Sequence, residues 1–179
     1  EIIDKVEVDT PKGWKVTIDV KNYHVDRDSV CCEVIKDAGD DPDITDGLSI
    51  VCKAERISTK GIEIQTCEGI GIVTRPGLQV PPGEPAINPV PMAMIRREVS
   101  KVLPQNLGVK LTLSIPKGKE IAKRTFNPRL GIKGGLSILG TSGIVEPMSC
   151  EALKDTLTAE LSVLAAKGME EVILVPGNY

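Results

Sequence analysis

The chain contains 179 residues, which is enough for one domain or two small ones, and 41% of them are hydrophobic. Aromatic residues make up 2% of the chain and the formal charge is −3, which argues against the cationic surface and stacked aromatic side chains of many nucleic-acid binders. No apolar run has the length needed to span a bilayer. We therefore expect a soluble protein with neither a nucleic-acid partner nor a membrane partner.

Cysteine and histidine usage indicates the compartment and the metal content. The five cysteines are odd in number and show no CxxC spacing, which indicates reduced thiols in the cytoplasm. The first residues lack the basic and apolar regions of a signal peptide. With His24 as the single histidine, we expect no protein-bound metal. The missing initiator Met and an end directly after a predicted strand indicate a fragment.

The first third of the chain alternates apolar and polar residues in the manner of strands with one solvent-facing side. The alternation is clearest over residues 14–20. Three further strands are predicted over Val30–Ile35, Leu48–Ala54 and Gly61–Thr66, and turn-rich segments join them. This pattern predicts a largely antiparallel sheet.

An acidic loop over Lys36–Asp43, with Asp46 just beyond it, lies between the predicted strands Val30–Ile35 and Leu48–Ala54. Its carboxylates could gather a hard cation such as calcium or magnesium. The spacing does not match the calcium-loop pattern, however, and aspartate beside glycine and proline is ordinary turn chemistry. A turn is therefore favoured over a metal site.

The segment Glu68–Pro91 carries six prolines and four glycines, yet it has too many apolar residues for a linker. It predicts an ordered loop pinned by proline, which is a common place for substrate contacts. A helix follows, with Asn88 as its cap, Pro89 in its first turn and Pro104 after its end.

A strand over Val109–Ile115 and a short helix over 119–124 complete the material of the first predicted domain. We expect this domain to cover residues 1–126. Its predicted class is α+β, with a mixed, largely antiparallel sheet and helices.

The remaining residues, 127–179, predict the start of an α/β domain, truncated after its first parallel βαβ unit. An apolar strand begins at Leu136, Ser149 caps a helix with leucines at helical spacing, and Glu171–Val175 is typical of a fully buried strand. Ligands of such units bind where parallel strands end, here near Gly140–Gly143 and Gly177.

The turn Gly140-Thr141-Ser142-Gly143 is the one feature that suggests a phosphate-binding, kinase-like enzyme. It matches neither of the phosphate-binding motifs GxxxxGK[ST] and GxGxxG. Glycines at such a turn can also serve close packing. Ligand binding and a structural turn therefore both stay open.

Three segments carry a family resemblance: EVIKDAGDDPDIT at Glu33–Thr45, GIGIVTRPGLQVPPGEPAINPVP at Gly69–Pro91, and IPKGKEIAKRTFNPRLGIKGGLSILGTSGIVEPMS at Ile115–Ser149. In this order they resemble the signature blocks of the cobalt-precorrin-5B C1-methyltransferase family of anaerobic cobalamin (vitamin B12) biosynthesis. Members of that family begin with a Gly/Thr/Cys/Ala-rich segment and continue well beyond the motif that stands here as Pro176-Gly177-Asn178, and this chain has neither part. The chain therefore resembles the middle of a longer protein.

The resemblance implies an S-adenosylmethionine-dependent C-methyltransferase that methylates C1 of cobalt-precorrin-5B and gives cobalt-precorrin-6A. The donor is S-adenosylmethionine, and the cobalt belongs to the tetrapyrrole substrate. An alternative is a non-catalytic module of the same pathway that binds the tetrapyrrole or a partner protein, since the sequence offers no obvious catalytic base. A homo-oligomer is also left open.

No catalytic residue can be carried over to this chain from the resemblance. We expect a binding site with two walls, one at the strand-end turn beside Arg129 and one formed by the proline-rich loop and the acidic loop. The predicted residues for donor or substrate are Gly140, Thr141, Ser142, Gly143, Gly177, Asn178, Arg129, Glu84, Asn88, Asp37, Asp40 and Asp41.

Basic residues accompany the glycine- and proline-rich blocks of this acidic chain. Bidentate arginine–carboxylate pairs would orient a corrin precursor, whose periphery bears acetate and propionate groups. Solvated surface charge is the alternative for each residue taken singly, and the clustering favours a binding role for Arg129. The residues are Arg75, Lys123, Arg124, Arg129 and Lys133.

Overall fold

The computed structural model describes residues 3–140, 144 and 150–175. The strands are β1 (Lys5–Asp9), β2 (Lys15–Asp19), β3 (Lys21–Val25), β4 (Ser29–Ile35), β5 (Ser49–Ile57), β6 (Gly61–Thr66), β7 (Gly69–Ile70), β8 (Ile72–Val73), β9 (Gly108–Ser114), β10 (Ile132–Lys133) and β11 (Gly135–Leu136). The helices are α1 (Pro89–Val102), α2 (Gly118–Ile121), α3 (Asn127–Leu130) and α4 (Cys150–Ala166), with a 3-10 turn at Ala122–Arg124. The predicted α+β class is confirmed. None of the helices in the described residues is long and apolar enough to cross a membrane.

Five strands form the main sheet in the order β3-β4-β5-β9-β6. Neighbouring strands are antiparallel except β6 and β9, which run parallel. One face is apolar and buries Leu111 and Leu113. The other face carries charge, because Lys53 and Lys110 both contact Glu55, at 3.0 and 2.9 Å. The alternation seen in the sequence thus separates a core side from a solvent side.

β1 and β2 form a separate antiparallel hairpin that α1 holds in place. Lys101 on α1 contacts the Asp9 carboxylate at 2.6 Å, and Arg97 donates to the Asp9 carbonyl. On the same helix, Arg96 donates to the carbonyl of Ile62 on β6 at 2.9 Å. α1 therefore links the hairpin to the edge strand of the main sheet.

The short strands interlock beside the main sheet. β7 pairs with β11 in parallel, and β8 pairs with β10 antiparallel. Residues 84–88 join them, since the Ile138 amide donates to the Ala86 carbonyl at 2.8 Å. Glycine is required at the crossing, because a Cβ added to Gly135 would lie 2.3 Å from the backbone of Gly69. The glycines of two separate sequence blocks therefore allow the two backbones to touch.

Two apolar clusters fill the interior, and each combines the proline-rich loop with residues beyond position 110. The first contains Leu48, Ile70, Ile87, Leu113, Ile115, Ala122 and Leu136. The second contains Val73, Val80, Ala86, Leu130, Ile132 and Val163. The proline-rich loop is ordered and partly buried, as predicted. Division into domains at residues 126 and 127 stays a prediction.

The segment after α4 departs from the sequence prediction. Residues 171–175 form no strand, and Ile173 is 88% exposed, so the buried strand predicted over Glu171–Val175 is not formed. The parallel pairing expected of Leu136 is present, but its partner is β7. An apolar run shows that a segment can form a buried strand. Whether it does, and with which partner it pairs, depends on the rest of the fold.

Helix α4 uses a different face from the leucine stripe to contact the rest of the chain. Val163 is 2% exposed, and a Cβ on Gly77 would lie 2.6 Å from the Ser162 carbonyl, so the two backbones are close together. Leu153 and Leu157, by contrast, are exposed.

Candidate functional site

The start of α1 and the residues after β11 lie side by side. The amide of Asn88 donates to the Ile138 carbonyl at 3.0 Å, and Ile87 and Ile138 form a parallel bridge. This arrangement brings Asn88 close to Gly140, which has φ +125° and open space where a side chain would begin. The Asn88 side chain makes no capping hydrogen bond. Two predicted site residues from distant blocks are therefore neighbours.

Glu84 belongs to the same wall as Asn88. Its carbonyl accepts a hydrogen bond from the Val73 amide at 3.0 Å, which pairs residues 84–88 with β8. The Glu84 side chain is exposed and makes no hydrogen bond to the described residues. An acidic side chain is thus held beside the start of α1 with its carboxylate accessible.

The acidic loop is held in shape by hydrogen bonds that its own carboxylates accept. Asp37 accepts from the Gly39 amide and Asp46 accepts from the Ala38 amide, each at 2.8 Å. Asp43 accepts from Lys36 and from Thr45. The Asp37–Gly39 and Asp43–Thr45 contacts each span two residues, as in an Asx turn, and support the turn interpretation.

Asp43 shows the balance of forces in this loop. Burial acts to raise the pKa of its carboxyl group, but hydrogen bonds from Lys36 and Thr45 outweigh burial and hold the pKa below its usual value. Neither Asp40 nor Asp41 makes a side-chain hydrogen bond to the described residues, and Asp40 is exposed while Asp41 is half-buried. No hydrogen bond or ion pair in the described part of the chain joins this loop to the other predicted wall. Within residues 3–140, 144 and 150–175, no group of three or more His, Cys, Asp or Glu side chains could hold a metal ion.

Arg129 lies on α3 with its guanidinium over the ring of Phe126, 5.6 Å from the guanidinium carbon to the ring centroid. This is cation–π geometry. Phe126 is the one phenylalanine of the chain, and 53% of it is exposed. Arg129 forms no ion pair with a described acidic residue. Sequence reasoning selected Arg129 and missed Phe126, although a lone phenylalanine among basic residues was a usable signal.

We call residues 117–133 the basic segment. It holds six basic side chains and one acidic side chain, Glu120. All six basic side chains are exposed, and none pairs with an acidic residue in the described part of the chain. The basic side chains are Lys117, Lys119, Lys123, Arg124, Arg129 and Lys133. This unpaired positive charge suits an anionic ligand.

Arg75 reaches the basic segment from the proline-rich loop. Its stem covers Gly131, where an added Cβ would lie 2.6 Å from Arg75 Cδ. Thr74 ties the same two segments together, since its hydroxyl donates to the Gly131 carbonyl at 2.6 Å. Arg75 thus joins the cations that were grouped from the sequence.

A buried polar contact holds the backbone under Arg129. Asn127 is 6% exposed, and its side-chain amide donates to the Gly135 carbonyl at 3.4 Å. Ser137 donates from its hydroxyl to the Asn127 side-chain carbonyl at 3.0 Å. Sequence reasoning did not single out this pair, because its partners are brought together by the turn at β10 and β11.

Part of the predicted site lies outside the described residues. This applies to Thr141, Ser142, Gly143, Gly177 and Asn178, and to the helix cap Ser149. Two shallow depressions, of about 390 and 560 Å³, lie at the other end of the main sheet, around Leu103 and Leu107. Their lining includes none of the predicted site residues, and their position does not suit a site at the crossing of β7 and β11.

The fold and site describe a mixed α+β protein with an exposed basic segment next to a glycine-linked crossing of short strands. A family model described as CbiD matches residues 1–147. The chain therefore belongs to the CbiD family.

Curated relatives agree along the whole chain. It is 58% identical over 179 residues to a protein of Thermoanaerobacter sp. (strain X514) named Cobalt-precorrin-5B C(1)-methyltransferase, covering 100% of this chain and 49% of that relative. A protein of Moorella thermoacetica with the same name is 50% identical over 99% of this chain and 48% of its own length. The chain thus spans about half the length of these relatives.

A solved structure is also similar. It is a crystal structure of the cobalamin biosynthesis protein CbiD from Archaeoglobus fulgidus, with a TM-score of 0.59 and 30% identity. The similarity covers 89% of this chain and 51% of that chain.

Proposed function

We propose that the full-length protein transfers a methyl group from S-adenosylmethionine to C1 of cobalt-precorrin-5B, giving cobalt-precorrin-6A in anaerobic cobalamin biosynthesis. The observation that carries this proposal is the 58% identity, along the whole chain, to a relative named for this reaction. S-adenosylmethionine is the methyl donor, and the cobalt is part of the substrate.

The chemistry requires orientation more than acid–base power. A bond forms between the methyl carbon and C1 while the sulfonium–methyl bond breaks, and S-adenosylhomocysteine leaves. Because the sulfonium already activates the methyl group, holding donor and acceptor in line removes much of the barrier. A site built from backbone turns and basic side chains suits that task.

The substrate side of the site is assigned to the basic segment. A corrin precursor carries many carboxylates, and Arg129 offers a planar fork that can bind one of them with two hydrogen bonds. Asn88, Glu84 and Gly140 form the neighbouring wall in this proposal. The other members of the proposed site are Thr141, Ser142, Gly143, Gly177, Asn178, Asp37, Asp40 and Asp41.

The proposed compartment is the cytoplasm. All five cysteines are free thiols, a state that a reducing compartment maintains.

One observation favours a second candidate, a tetrapyrrole-binding module without catalysis of its own. The site residues proposed here include neither a histidine nor a cysteine, and His24 lies on β3, where it contacts Asp26 at 3.2 Å. The two candidates differ in whether the protein binds the methyl donor.

The test uses the full-length protein under anaerobic conditions, with cobalt-precorrin-5B and S-adenosylmethionine labelled in the methyl group. Methyl transfer predicts label at C1 of the product and donor binding by calorimetry. Tetrapyrrole binding with neither label transfer nor donor binding would reject the methyltransferase and leave the binding module.

A further inference from the structure

The Phe126–Arg129 pair stands on a rigid support. The Phe126 carbonyl accepts from the amides of Arg129 and Leu130, at 3.0 and 3.2 Å. Leu130 is 8% exposed in the second core cluster, and the buried Asn127 is hydrogen-bonded to Gly135. The backbone between ring and guanidinium is therefore anchored at two points, so the two side chains project from a fixed turn.

The exposure of Phe126 has no explanation in the packing of the described residues. A phenylalanine that is buried contributes about 2 kcal/mol through the apolar area removed from water, and this chain has only one to use. Phe126 nevertheless keeps 53% of its surface accessible. Among the described residues, the guanidinium of Arg129 lies over one face of the ring.

The surrounding charge identifies the kind of ligand. The basic segment places Lys123 and Arg124 just before the ring and Lys133 just after α3, and none of them is neutralised by a described carboxylate. A ligand that matches both features has a flat, conjugated, apolar face and a rim of carboxylates. A simple anion would use the cations and leave the ring without a role.

We propose that Phe126 and Arg129 form a recognition platform for the tetrapyrrole, an inference that rests on the proposed function. The ring of Phe126 packs against the flat face of the macrocycle, and offset stacking supplies attraction beyond area burial. Arg129 lies at the rim and binds a peripheral carboxylate. Phe126 is thus a substrate-binding residue that orients the macrocycle, and it takes no part in the bond changes.

The experiment measures binding of uroporphyrin III, a planar tetrapyrrole with a fully carboxylated rim, to the full-length protein by porphyrin fluorescence anisotropy. Phe126→Ala is expected to weaken binding about tenfold, equivalent to about 1.4 kcal/mol, while Phe126→Trp binds as the wild type does. Trp14→Leu is the matched control, since Trp14 is 59% exposed at the β1–β2 turn, and it should leave binding unchanged.

Wild-type affinity in Phe126→Ala would overturn the platform, and so would a wild-type protein that fails to bind uroporphyrin III. Phe126→Leu covers the case in which alanine disturbs folding, because leucine keeps apolar bulk without an aromatic face. Full binding by Phe126→Leu would show that the ring is not recognised as an aromatic group, and the proposal would fall.

The outcome is separable from that of the proposed function. A protein that binds uroporphyrin III through Phe126 but neither binds S-adenosylmethionine nor transfers its methyl group would refute the methyltransferase and keep the platform. A protein that methylates cobalt-precorrin-5B equally well with and without the Phe126 ring would keep the methyltransferase and refute the platform.

Discussion

Arg129 differs from the other cations of the basic segment in having an aromatic partner, Phe126. Lysine at this position keeps the charge but loses the planar fork that binds a carboxylate with two hydrogen bonds. We expect Arg129→Lys to raise the KM for the tetrapyrrole about tenfold, or about 1.4 kcal/mol, with little change in the KM for S-adenosylmethionine. Steady-state methyl transfer with each substrate varied in turn measures both.

The matched control is Arg27→Lys, which makes the same chemical change in the turn between β3 and β4, at the far end of the main sheet. Both KM values should stay at wild type in that variant. A raised donor KM in Arg129→Lys with an unchanged tetrapyrrole KM would move Arg129 to the donor pocket. No change in either would make Arg129 a surface residue.

Cys52 offers a test of burial in the main sheet. Burial, with smaller contributions from Cys32 and Cys31, raises the pKa of the Cys52 thiol from 9.0 to about 11. The folded state therefore holds the proton more tightly than the unfolded state. The protonated Cys52 thiol therefore makes its full contribution to stability below pH 9, and this contribution is lost as the pH rises toward 11.

Urea unfolding at a series of alkaline pH values measures this effect. We expect the midpoint of the wild type to fall over that window and the fall to be shallower in Cys52→Ala. Cys67→Ala, which changes an exposed cysteine, should keep the wild-type slope. Equal slopes in all three proteins would mean that partial burial does not raise the pKa of Cys52.

At the scale of elements, the glycines of the crossing and the glycine of the strand-end turn have different tasks. A side chain at Gly135 would collide with the Gly69 backbone, whereas Gly140 has open space around it and φ +125°. Gly135→Ala should therefore lower the stability of the fold by several kcal/mol, on the order of severe overpacking.

Gly140→Val should abolish methyl transfer while most of the fold is retained, because valine resists positive φ and its side chain would stand where a ligand approaches.

Thermal unfolding and methyl transfer are measured on both variants, with Gly134→Ala as a control for positive φ in open space. Gly134→Ala should cost only about 1 kcal/mol of stability. Full turnover by Gly140→Val would remove this turn from the site. Wild-type stability of Gly135→Ala would contradict the close approach of β7 and β11.

At the scale of the whole molecule, local charge and net charge have opposite signs. The chain carries −3 overall, yet the basic segment has six basic side chains and one acidic side chain. Attraction of a polycarboxylate to this segment is screened by salt, since the Debye length is about 10 Å at 0.1 M. We expect the tetrapyrrole KM to rise several-fold between about 50 and 300 mM NaCl, with a much smaller change in the donor KM.

Replacing Lys123 and Arg124 by alanine should flatten this salt dependence. As a control, Lys60→Ala removes an exposed cation in the turn before β6. This variant should keep the salt dependence of the wild type. A tetrapyrrole KM that does not respond to salt would exclude the basic segment as the carboxylate-binding surface.

The sequence by itself determined the local elements and the composition of the site. Strand patterns located β4, β5, β6 and β9 of the main sheet but not β3, and Asn88 with Pro89 located the start of α1. Side-chain periodicity and helix-end chemistry are local properties, so they can be recognised in the sequence. The clustered cations were visible for the same reason.

Only the tertiary structure decided which distant segments meet. The pairing of β11 with β7, where residues 171–175 had been expected, depends on contact between segments that are far apart in sequence. The stacking of Arg129 on Phe126 and the burial of Asn127 beneath them depend on one exact turn geometry. An apolar run or a glycine is compatible with several partners. The partner is selected by which combination buries the most apolar surface while satisfying every backbone hydrogen bond, and that balance belongs to the whole fold.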